Sequence, residues 1–462
     1  MKRLSKNLLS LFSADIARRL LGFISVAYLA RVLGTEGFGA INLGFAVLAY
    51  VMVLSAAGFP TLGTKKIAQG ELPELIGSVI GSRLIATMIM LLVVAFAVLT
   101  AVQNATIAWL IILFSCAVLP QIFFVDWFFQ GKETLGIVSA ARVMQAVVYL
   151  AVVLVFVRTI NDIMWVAVGS IAGECMASAL LFIRFRVLHP GIHIRIKPSL
   201  HLLKQSMPLA VGIVLATVAI NYPSIALGIF TTTSNVGIYS AASKLVYFLL
   251  MGDRILVLLL LPASARKYSD SPEIFNRMLT DAMRWILIIS LPVAVGGILI
   301  AGNLIAIIYG AEYSSSGTVF QVFIWYFFIT MLHTVYSAGL IGVDGEKSYG
   351  RIMLATAFVY LVTVTAGVCF FGAIGAAFGV VVAECISVLL MKRALQRIIS
   401  LSPPEKVVRV IVSVAIMAVC VTVVLPYGFL WGILSGIACY SFMLLLLRAV
   451  VWNDVKTLLV RF

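Results

Sequence analysis

Apolar runs of about 20 residues recur from about residue 10 to about residue 450, separated by short polar breaks. A helix of that length spans the roughly 30 Å hydrocarbon core of a bilayer, since each residue adds about 1.5 Å. The pattern therefore predicts an all-α, polytopic membrane protein with about 14 transmembrane helices. The predicted spans are 10–32, 38–57, 83–102, 107–129, 136–157, 163–184, 204–230, 237–261, 285–308, 318–341, 352–371, 373–391, 407–425 and 428–448.

The composition excludes a soluble globular domain. Hydrophobic residues make up 63% of the chain and charged residues 11%, and the mean hydropathy is +1.14, whereas about half of a soluble domain is apolar. Asp15, Arg18 and Arg19 interrupt the first apolar run, which lacks a small-residue cleavage site. We interpret this run as an uncleaved first helix rather than a signal peptide.

The net charge of +15 is explained by the membrane and does not require a nucleic-acid partner. Short loops rich in Lys and Arg stay on the cytoplasmic side, and the basic loops alternate with loops that hold little beyond Arg31 and Arg158. This alternation predicts both termini in the cytoplasm. The basic segments are the N-terminus (Lys2, Arg3, Lys6), Lys65 and Lys66, Lys132 and Arg142, 184–204, 266–284, Lys347 and Arg351, 392–409, and the C-terminus (Arg448, Lys456, Arg461).

The sequence indicates neither a cofactor nor a metal site. The six cysteines lie inside apolar runs without a Cys-x-x-Cys spacing, which favours packing over disulfides or metal ligation. The sequence contains no Gly-x-x-x-x-Gly-Lys-Ser/Thr phosphate-binding loop, so we do not expect ATP hydrolysis. His189, His193 and His201 share one basic segment, but Pro190 and Gly191 follow the first of them, which favours a solvated loop.

Three matches in the same order indicate an internal duplication. Each half contains six predicted spans, and an even number makes the halves parallel, related by a pseudo-twofold axis along the membrane normal. The matched pairs are Arg31-Val-Leu-Gly-Thr-Glu-Gly-Phe-Gly-Ala-Ile-Asn42 with Thr233-Ser-Asn-Val-Gly-Ile-Tyr-Ser-Ala-Ala-Ser-Lys244, Gly131-Lys-Glu-Thr with Gly345-Glu-Lys-Ser, and Ala167-Val-Gly-Ser-Ile-Ala-Gly-Glu-Cys175 with Ala377-Phe-Gly-Val-Val-Val-Ala-Glu-Cys385.

A loss of apolar helical periodicity divides the two halves. Residues 185–203 are rich in Pro, Gly and basic residues and predict a cytoplasmic linker between lobes. We therefore predict a six-helix N-terminal lobe over 1–184 and a six-helix C-terminal lobe over 204–391. Residues 392–462 add a basic loop, helices thirteen and fourteen and a cytoplasmic tail.

At these motifs the chain resembles the polysaccharide exporters, the O-antigen and lipid-linked oligosaccharide flippases of the multidrug, oligosaccharidyl-lipid and polysaccharide (MOP) exporter superfamily. The resemblance covers most of the chain, and Thr35 stands where the family commonly has Pro. The segments that carry it are Tyr28-Leu-Ala-Arg-Val-Leu-Gly, Glu36-Gly-Phe-Gly, Gly58-Phe-Pro and Gly237-Ile-Tyr-Ser-Ala-Ala-Ser-Lys-Leu.

The resemblance implies two lobes around a central cavity, alternating access, and a polyprenyl-pyrophosphate-linked oligosaccharide as cargo. It also implies a place in the inner membrane, contact with membrane lipids, and a polysaccharide polymerase or assembly proteins as partners. The glycan cannot be carried over, because members of the family transport different sugars.

Cations inside the membrane are the candidates for binding an anionic cargo. A charge at the membrane centre is costly and normally faces protein or water, so we predict that these side chains line the cargo cavity. For the first two, an ion pair with Asp15 and snorkelling toward the headgroups is the competing interpretation. The five candidates are Arg18, Arg19, Arg31, Lys244 and Arg254.

Membrane acids are the candidates for coupling transport to H⁺ or Na⁺, because burial favours the protonated or ion-bound carboxyl. They are Asp15, Asp126, Glu174, Asp253 and Glu384. Repeated interhelical hydrogen bonds are the competing interpretation of the two glutamates. Aromatic runs at 123–129 and 323–328 could contact sugar or prenyl chains, although helix packing or an interfacial belt is commoner.

Two other functions stay open. A multidrug/cation antiporter of the same superfamily would favour acidic over basic cavity residues, against the cations found here. A membrane polymerase or glycosyltransferase needs a large extramembrane loop or an Asp-x-Asp site, and the longest loops here have only about twenty residues. The sequence therefore favours a flippase, which is not an enzyme.

Overall fold

The fold is all-α, as the apolar pattern predicts. The computed structural model describes the backbone of residues 2–70, 74–190, 194 and 196–450, and the side chains of those residues apart from 2–14, 74, 267, 269 and 270. His193 and the cytoplasmic tail from residue 451 onward, both named above, lie outside the described residues. Every regular element within them is an α-helix or a short 3₁₀-helix.

Sixteen α-helices succeed one another in the described part of the chain. They are α1 (Lys2–Ala56), α2 (Phe59–Ala68), α3 (Glu74–Ala101), α4 (Ala105–Ser115), α5 (Val118–Gln121), α6 (Asp126–Gly131), α7 (Leu135–Phe156), α8 (Met164–Leu188), α9 (Leu200–Phe230), α10 (Thr233–Leu249), α11 (Met251–Asp270), α12 (Pro272–Tyr309), α13 (Ser314–Gly342), α14 (Glu346–Gln396), α15 (Val407–Val424) and α16 (Phe429–Leu446).

Eleven helical stretches among the described residues are long and apolar enough to cross a membrane. Two of them, α1 and α14, each hold two predicted spans and bend at a glycine with positive φ, Gly34 at 65° and Gly372 at 57°. The shorter apolar stretch Ala105–Gln121 corresponds to predicted span four. Each of the fourteen predicted spans thus has a helical counterpart, and the prediction of a multi-pass, all-α membrane protein is confirmed.

The two arms of α14 form a tight antiparallel pair. The Thr363 hydroxyl donates a hydrogen bond to the Gly379 carbonyl, 2.9 Å away, and Gly367 lies against Gly375. The second pair lies inside the first in sequence, as expected when one arm runs back along the other. The close approach requires glycine, because a Cβ on Gly375 would lie 1.8 Å from the Gly367 carbonyl oxygen.

The chain divides into two compact units, residues 1–237 and 238–462. In the first unit, α1 packs against α4, α7 and α9, and α7 packs against α8. In the second, α13 packs against α11, α12 and α14, while α15 and α16 pack on each other and on α12. Helix α9 belongs to the first compact unit, whereas the repeat assigns residues 204–230 to the second lobe. The repeat-based lobes stay a prediction.

Several basic residues that the charge pattern places in loops lie inside helices instead, among them Arg142 and Arg284. Arg142 is on the second turn of α7, and Arg284 is buried in α12, which begins at Pro272 rather than near residue 285. Arg284 donates to the Ala449 carbonyl, 2.6 Å away. Charge alone does not locate these residues, because an arginine inside a helix can bond to acceptors elsewhere in the chain, here Ala449 for Arg284 and Asp126 for Arg142.

The aromatic runs pack within their units. Trp127, Phe128 and Phe129 are almost fully buried in the core of the first unit, where Phe128 lies edge-on to Phe185 with ring centroids 4.9 Å apart. In the second unit, Phe323 and Tyr326 of α13 pack against Tyr239 and Tyr247 of α10. Helix packing therefore accounts for these side chains.

Candidate functional site

Arg18 and Arg19 form an ion pair with Asp15. Arg18 Nη2 lies 2.9 Å from Asp15 Oδ1, and Arg19 Nε lies 2.8 Å from Asp15 Oδ2. The spacings of three and four residues place the three side chains on one face of α1. The ion pair with Asp15, which was the competing interpretation of these two arginines, is therefore present. That Arg18 and Arg19 bind cargo stays a prediction.

The other three predicted cations lie on different helices. Arg31 is an exposed residue of α1, three positions before the bend at Gly34. Lys244 is half-buried on α10, and Arg254 is exposed on α11. Ser240, Lys244 and Tyr247 are spaced by four and three residues, so the ammonium shares its helix face with a hydroxyl and a phenol.

Asp126 is held in a buried charge cluster of the first unit. A break in predicted span four, between α5 and α6, places this carboxylate at the N-terminus of α6, where Oδ1 accepts the Trp127 amide at 2.9 Å. Oδ2 lies 3.4 Å from Arg142 Nη2 and accepts a bond from Gln130 at 3.1 Å. The Arg142 guanidinium also lies 4.3 Å over the ring of Phe124.

Arg83 and Glu174 complete this cluster. Arg83 is buried on α3 and donates to the Phe124 carbonyl, 3.4 Å away, which the helix break leaves free. Glu174, buried on α8, accepts hydrogen bonds from the side-chain amides of Gln121 and Gln145. Arg142 and Asp126 lie near enough for their charges to act on Glu174. We call these four residues the first-unit charge cluster; it contains two arginines and two acids.

Sequence reasoning missed Arg83 and assigned Arg142 to a loop. The signal that could have found them is the predicted span that contains Asp126, because a buried carboxylate requires a cation or several donors. Which arginine supplies the charge depends on how α3, α6 and α7 pack, and helical periodicity does not contain that information.

We expect Asp126→Asn to destabilise the protein by about 3 kcal/mol, because it leaves the buried Arg83 and the half-buried Arg142 with one carboxylate between them. Thermal unfolding in detergent micelles measures the effect. Asp15→Asn is the matched control, since the Asp15 side chain is 35% exposed against 13% for Asp126, and an exposed pair contributes about 0–1 kcal/mol. Equal shifts of the unfolding temperature would contradict this account.

The second unit holds a different polar cluster. His333 Nδ1 on α13 lies 2.7 Å from Glu384 Oε1 on the second arm of α14. The neighbouring Thr334 hydroxyl donates to Asp253 Oδ1 on α11, and Asp253 is close enough for its charge to act on His333. Two of the predicted coupling acids, Asp253 and Glu384, are thus brought together here. His333 was not predicted, because a single histidine in an apolar run usually indicates core packing.

The segments around Gly39 and Gly237, which indicated the internal repeat, lie in direct contact with each other. A Cβ on Gly39 would lie 1.7 Å from the Thr233 carbonyl oxygen, and a Cβ on Gly237 would lie 2.0 Å from the Thr35 carbonyl oxygen. The Ser234 hydroxyl donates to Thr35 Oγ1 at 3.1 Å. Aligning the two segments on Gly39 and Gly237 also pairs Thr35 with Thr233, so each glycine meets the threonine that lies four residues before the other glycine. We call this the glycine contact.

A model of the family described as "Polysaccharide biosynthesis protein" matches residues 4–266, more than half of the chain. The chain belongs to this family. The match includes all five predicted cations and the first-unit charge cluster, whereas His333 and Glu384 lie beyond it.

Similar family members cover most of the chain. The "Putative O-antigen transporter" of Escherichia coli (strain K12) is 24% identical over 412 residues, which are 84% of this chain and 95% of that protein. The protein of the same name from Shigella dysenteriae is 23% identical over 401 residues, 85% of this chain and all of that protein. The predicted resemblance to polysaccharide exporters is confirmed.

Solved structures agree on the fold. The lipid II flippase MurJ, in an inward closed conformation, has a TM-score of 0.77 at 15% identity and covers 95% of this chain and 98% of its own. An inward-facing multidrug resistance MATE family transporter of the MOP superfamily has a TM-score of 0.66 at 16% identity, covering 82% of this chain and 94% of its own. The polysaccharide biosynthesis protein described here therefore has the fold of these transporters.

Proposed function

We propose that this protein is a flippase, which moves a polyprenyl-pyrophosphate-linked oligosaccharide from the cytoplasmic to the outer leaflet of the inner membrane by alternating access. The observation that carries the proposal is the family membership, supported by O-antigen transporters that match most of the chain. The fold it shares with a lipid II flippase supports the same class of cargo. The protein acts as a transporter, with both termini in the cytoplasm.

The cations inside the helices supply the chemistry that this cargo requires. The prenyl tail stays in lipid, while the pyrophosphate must leave water together with the glycan. An ammonium or guanidinium in the cavity replaces part of the lost hydration of the phosphates by charge-assisted hydrogen bonds. Lys244 is the strongest candidate, because it is half-buried within a helix. Arg31 and Arg254 are exposed on their helices, where an anion can reach them.

A multidrug/cation antiporter is the second candidate, and the fold likeness to MATE transporters is the observation that favours it. A cationic drug would be repelled by the Lys and Arg side chains proposed to line the cavity. Among the coupling acids, Asp15 and Asp126 are already engaged by arginines. These charges favour an anionic cargo.

Depletion of the protein in its host tests the proposal. We expect repeat units to accumulate on the cytoplasmic leaflet, because the flippase is their route across the membrane. A membrane-impermeant glycan probe, applied to intact spheroplasts and to inverted vesicles, measures the sidedness. Normal sidedness with undiminished surface polysaccharide would remove the flippase and leave drug/cation antiport as the first candidate.

A further inference from the structure

Two glutamates that occupy the same place in the repeat have different partners. Glu174 and Glu384 each precede a cysteine and follow a glycine by five residues in their matched segments. Glu174 accepts a hydrogen bond from Gln121, which lies in predicted span four. Glu384 contacts His333, which lies in predicted span ten, the counterpart of span four in the second half. The duplication thus provides an internal comparison of one carboxylate in two environments.

In the first unit the hydrogen-bond partners of the carboxylate do not titrate. Gln121 and Gln145 both donate to Glu174, and an amide does not titrate. Arg142 lies near enough to act on it electrostatically and stays protonated at any physiological pH. Two arginines already balance Glu174 and Asp126. Taking up a proton would leave an excess positive charge in a buried site, which is unfavourable.

In the second unit an imidazole replaces the amide. His333 contacts Glu384 at 2.7 Å, and a histidine changes charge between about pH 5 and 8 when unperturbed. Asp253 adds a second carboxylate, which accepts the Thr334 hydroxyl. Further titratable groups that act electrostatically on this cluster are Tyr326 of α13, and Tyr349 and Cys385 of α14.

The net charge of His333, Glu384 and Asp253 depends on how many protons they hold. With the imidazole protonated and both carboxylates ionised, the three groups carry one excess negative charge inside the membrane, a costly state. One more proton neutralises them. The proton forms an O–H bond on the carboxylate of Glu384 or Asp253 and returns to water when the site opens to the other side; no other bond changes.

We propose that His333, Glu384 and Asp253 form the proton-binding site through which a proton gradient drives transport, whereas the first-unit charge cluster is structural. This proposal rests on the proposed flippase function, whose cycle it couples to protons. A metal cation would instead favour a cage of oxygen ligands. The imidazole contact with Glu384 favours a proton.

His333→Gln tests the site by rebuilding in the second unit the glutamine–glutamate pair of the first. The variant is reconstituted in vesicles with a short-chain polyprenyl-pyrophosphate-linked oligosaccharide, and flipping is followed with and without a pH gradient. We expect a gradient of about one pH unit to shift the wild-type distribution of cargo about tenfold for one proton per cycle. His333→Gln should abolish that shift and keep slow equilibration of the cargo.

His201→Gln is the matched control. His201 is an exposed residue of α9, next to Gln205, and its replacement should leave the gradient response intact. A wild-type protein that flips cargo but ignores the pH gradient, or that follows a sodium gradient, overturns the proton site. So does an undiminished response in His333→Gln.

A second readout does not depend on cargo. Acidification of the reconstituted wild-type protein should produce an infrared band of a protonated carboxyl group, which Glu384→Gln or Asp253→Asn removes. Glu346→Gln, an exposed position in the first turn of the same helix α14, should leave the band unchanged. Absence of the band overturns the proton site whether or not cargo moves. Failure of cargo to move under any gradient, with the band present, instead overturns the flippase.

Discussion

The Gly39→Ala variant is expected to unfold at a clearly lower temperature than the wild-type protein and to lose most transport. The added Cβ would lie 1.7 Å from the Thr233 carbonyl oxygen, while ordinary contacts begin at 3.4 Å. The obstacle is main chain and cannot rotate away, so the helix starts must separate. Overpacking of this kind costs about 1–3 kcal/mol, and we expect the upper end. Thermal unfolding in detergent and restoration of surface polysaccharide in a deletion strain measure the two effects.

Gly22→Ala is the control for this variant. Gly22 lies in the same helix α1 but has no heavy atom of another part of the chain within 4 Å of an added Cβ. Its replacement should be neutral or slightly stabilising, because alanine favours helix over glycine by about 1 kcal/mol. If the two variants unfold at the same temperature, the glycine contact does not hold the helices together.

Replacing Gly237 alone and together with Gly39 gives a second test of the glycine contact. Gly237→Ala meets the Thr35 carbonyl oxygen at 2.0 Å, so it demands the same separation of the helices as Gly39→Ala. The double variant should therefore cost less than the sum of the single variants, since contacting residues are not additive. A purely additive result would indicate that the two ends of the contact yield independently.

Lys244→Ala is expected to reduce flipping about ten- to a hundredfold while the protein accumulates normally. A hydrogen bond to a charged group contributes about 1.5–3 kcal/mol, and about 1.4 kcal/mol corresponds to a factor of ten. The loss follows from the proposed contact of the ammonium with the pyrophosphate. The rate of flipping in proteoliposomes measures it, and the amount of folded protein is determined in parallel.

Two further variants separate charge from packing at this position. Lys244→Arg keeps the charge and should retain most of the activity. Lys132→Ala removes an exposed cation between α6 and α7 and should have no effect, because that cation lies outside the helices. Full complementation of a deletion by both Lys244→Ala and Arg18→Ala would overturn the proposed cationic cavity.

The spans could be predicted because each is encoded locally. An apolar run fixes a transmembrane helix without knowledge of its neighbours, so even the close pair of spans in α14 was found, with Gly372 as the break. The ion pairs of Asp15 could be predicted for the same reason, because spacings of three and four residues within one helix determine them. The repeat also predicted that Glu174 and Glu384 are equivalent.

The partners of those acids could not be predicted. Gln121 reaches Glu174 only because α5 ends in a break of span four. His333 meets Glu384 only because α13 packs on the second arm of α14. Such contacts join residues about 50 positions apart, and apolar periodicity constrains the face of a helix but not its neighbour. The same limit explains why the contacts of Arg83 and Arg142 emerge only from the structure.

The glycine contact also bears on the ancestry of the chain. The segments around Gly39 and Gly237 exchange equivalent groups, which is the geometry of an isologous interface in a symmetric homodimer. A six-helix precursor pairing with itself would have needed one glycine to make both contacts, and any substitution there would have damaged both at once. The two segments share this glycine, although the residues before it, Phe38 and Val236, differ. The glycine contact thus has the form of a homodimer interface enclosed within one polypeptide.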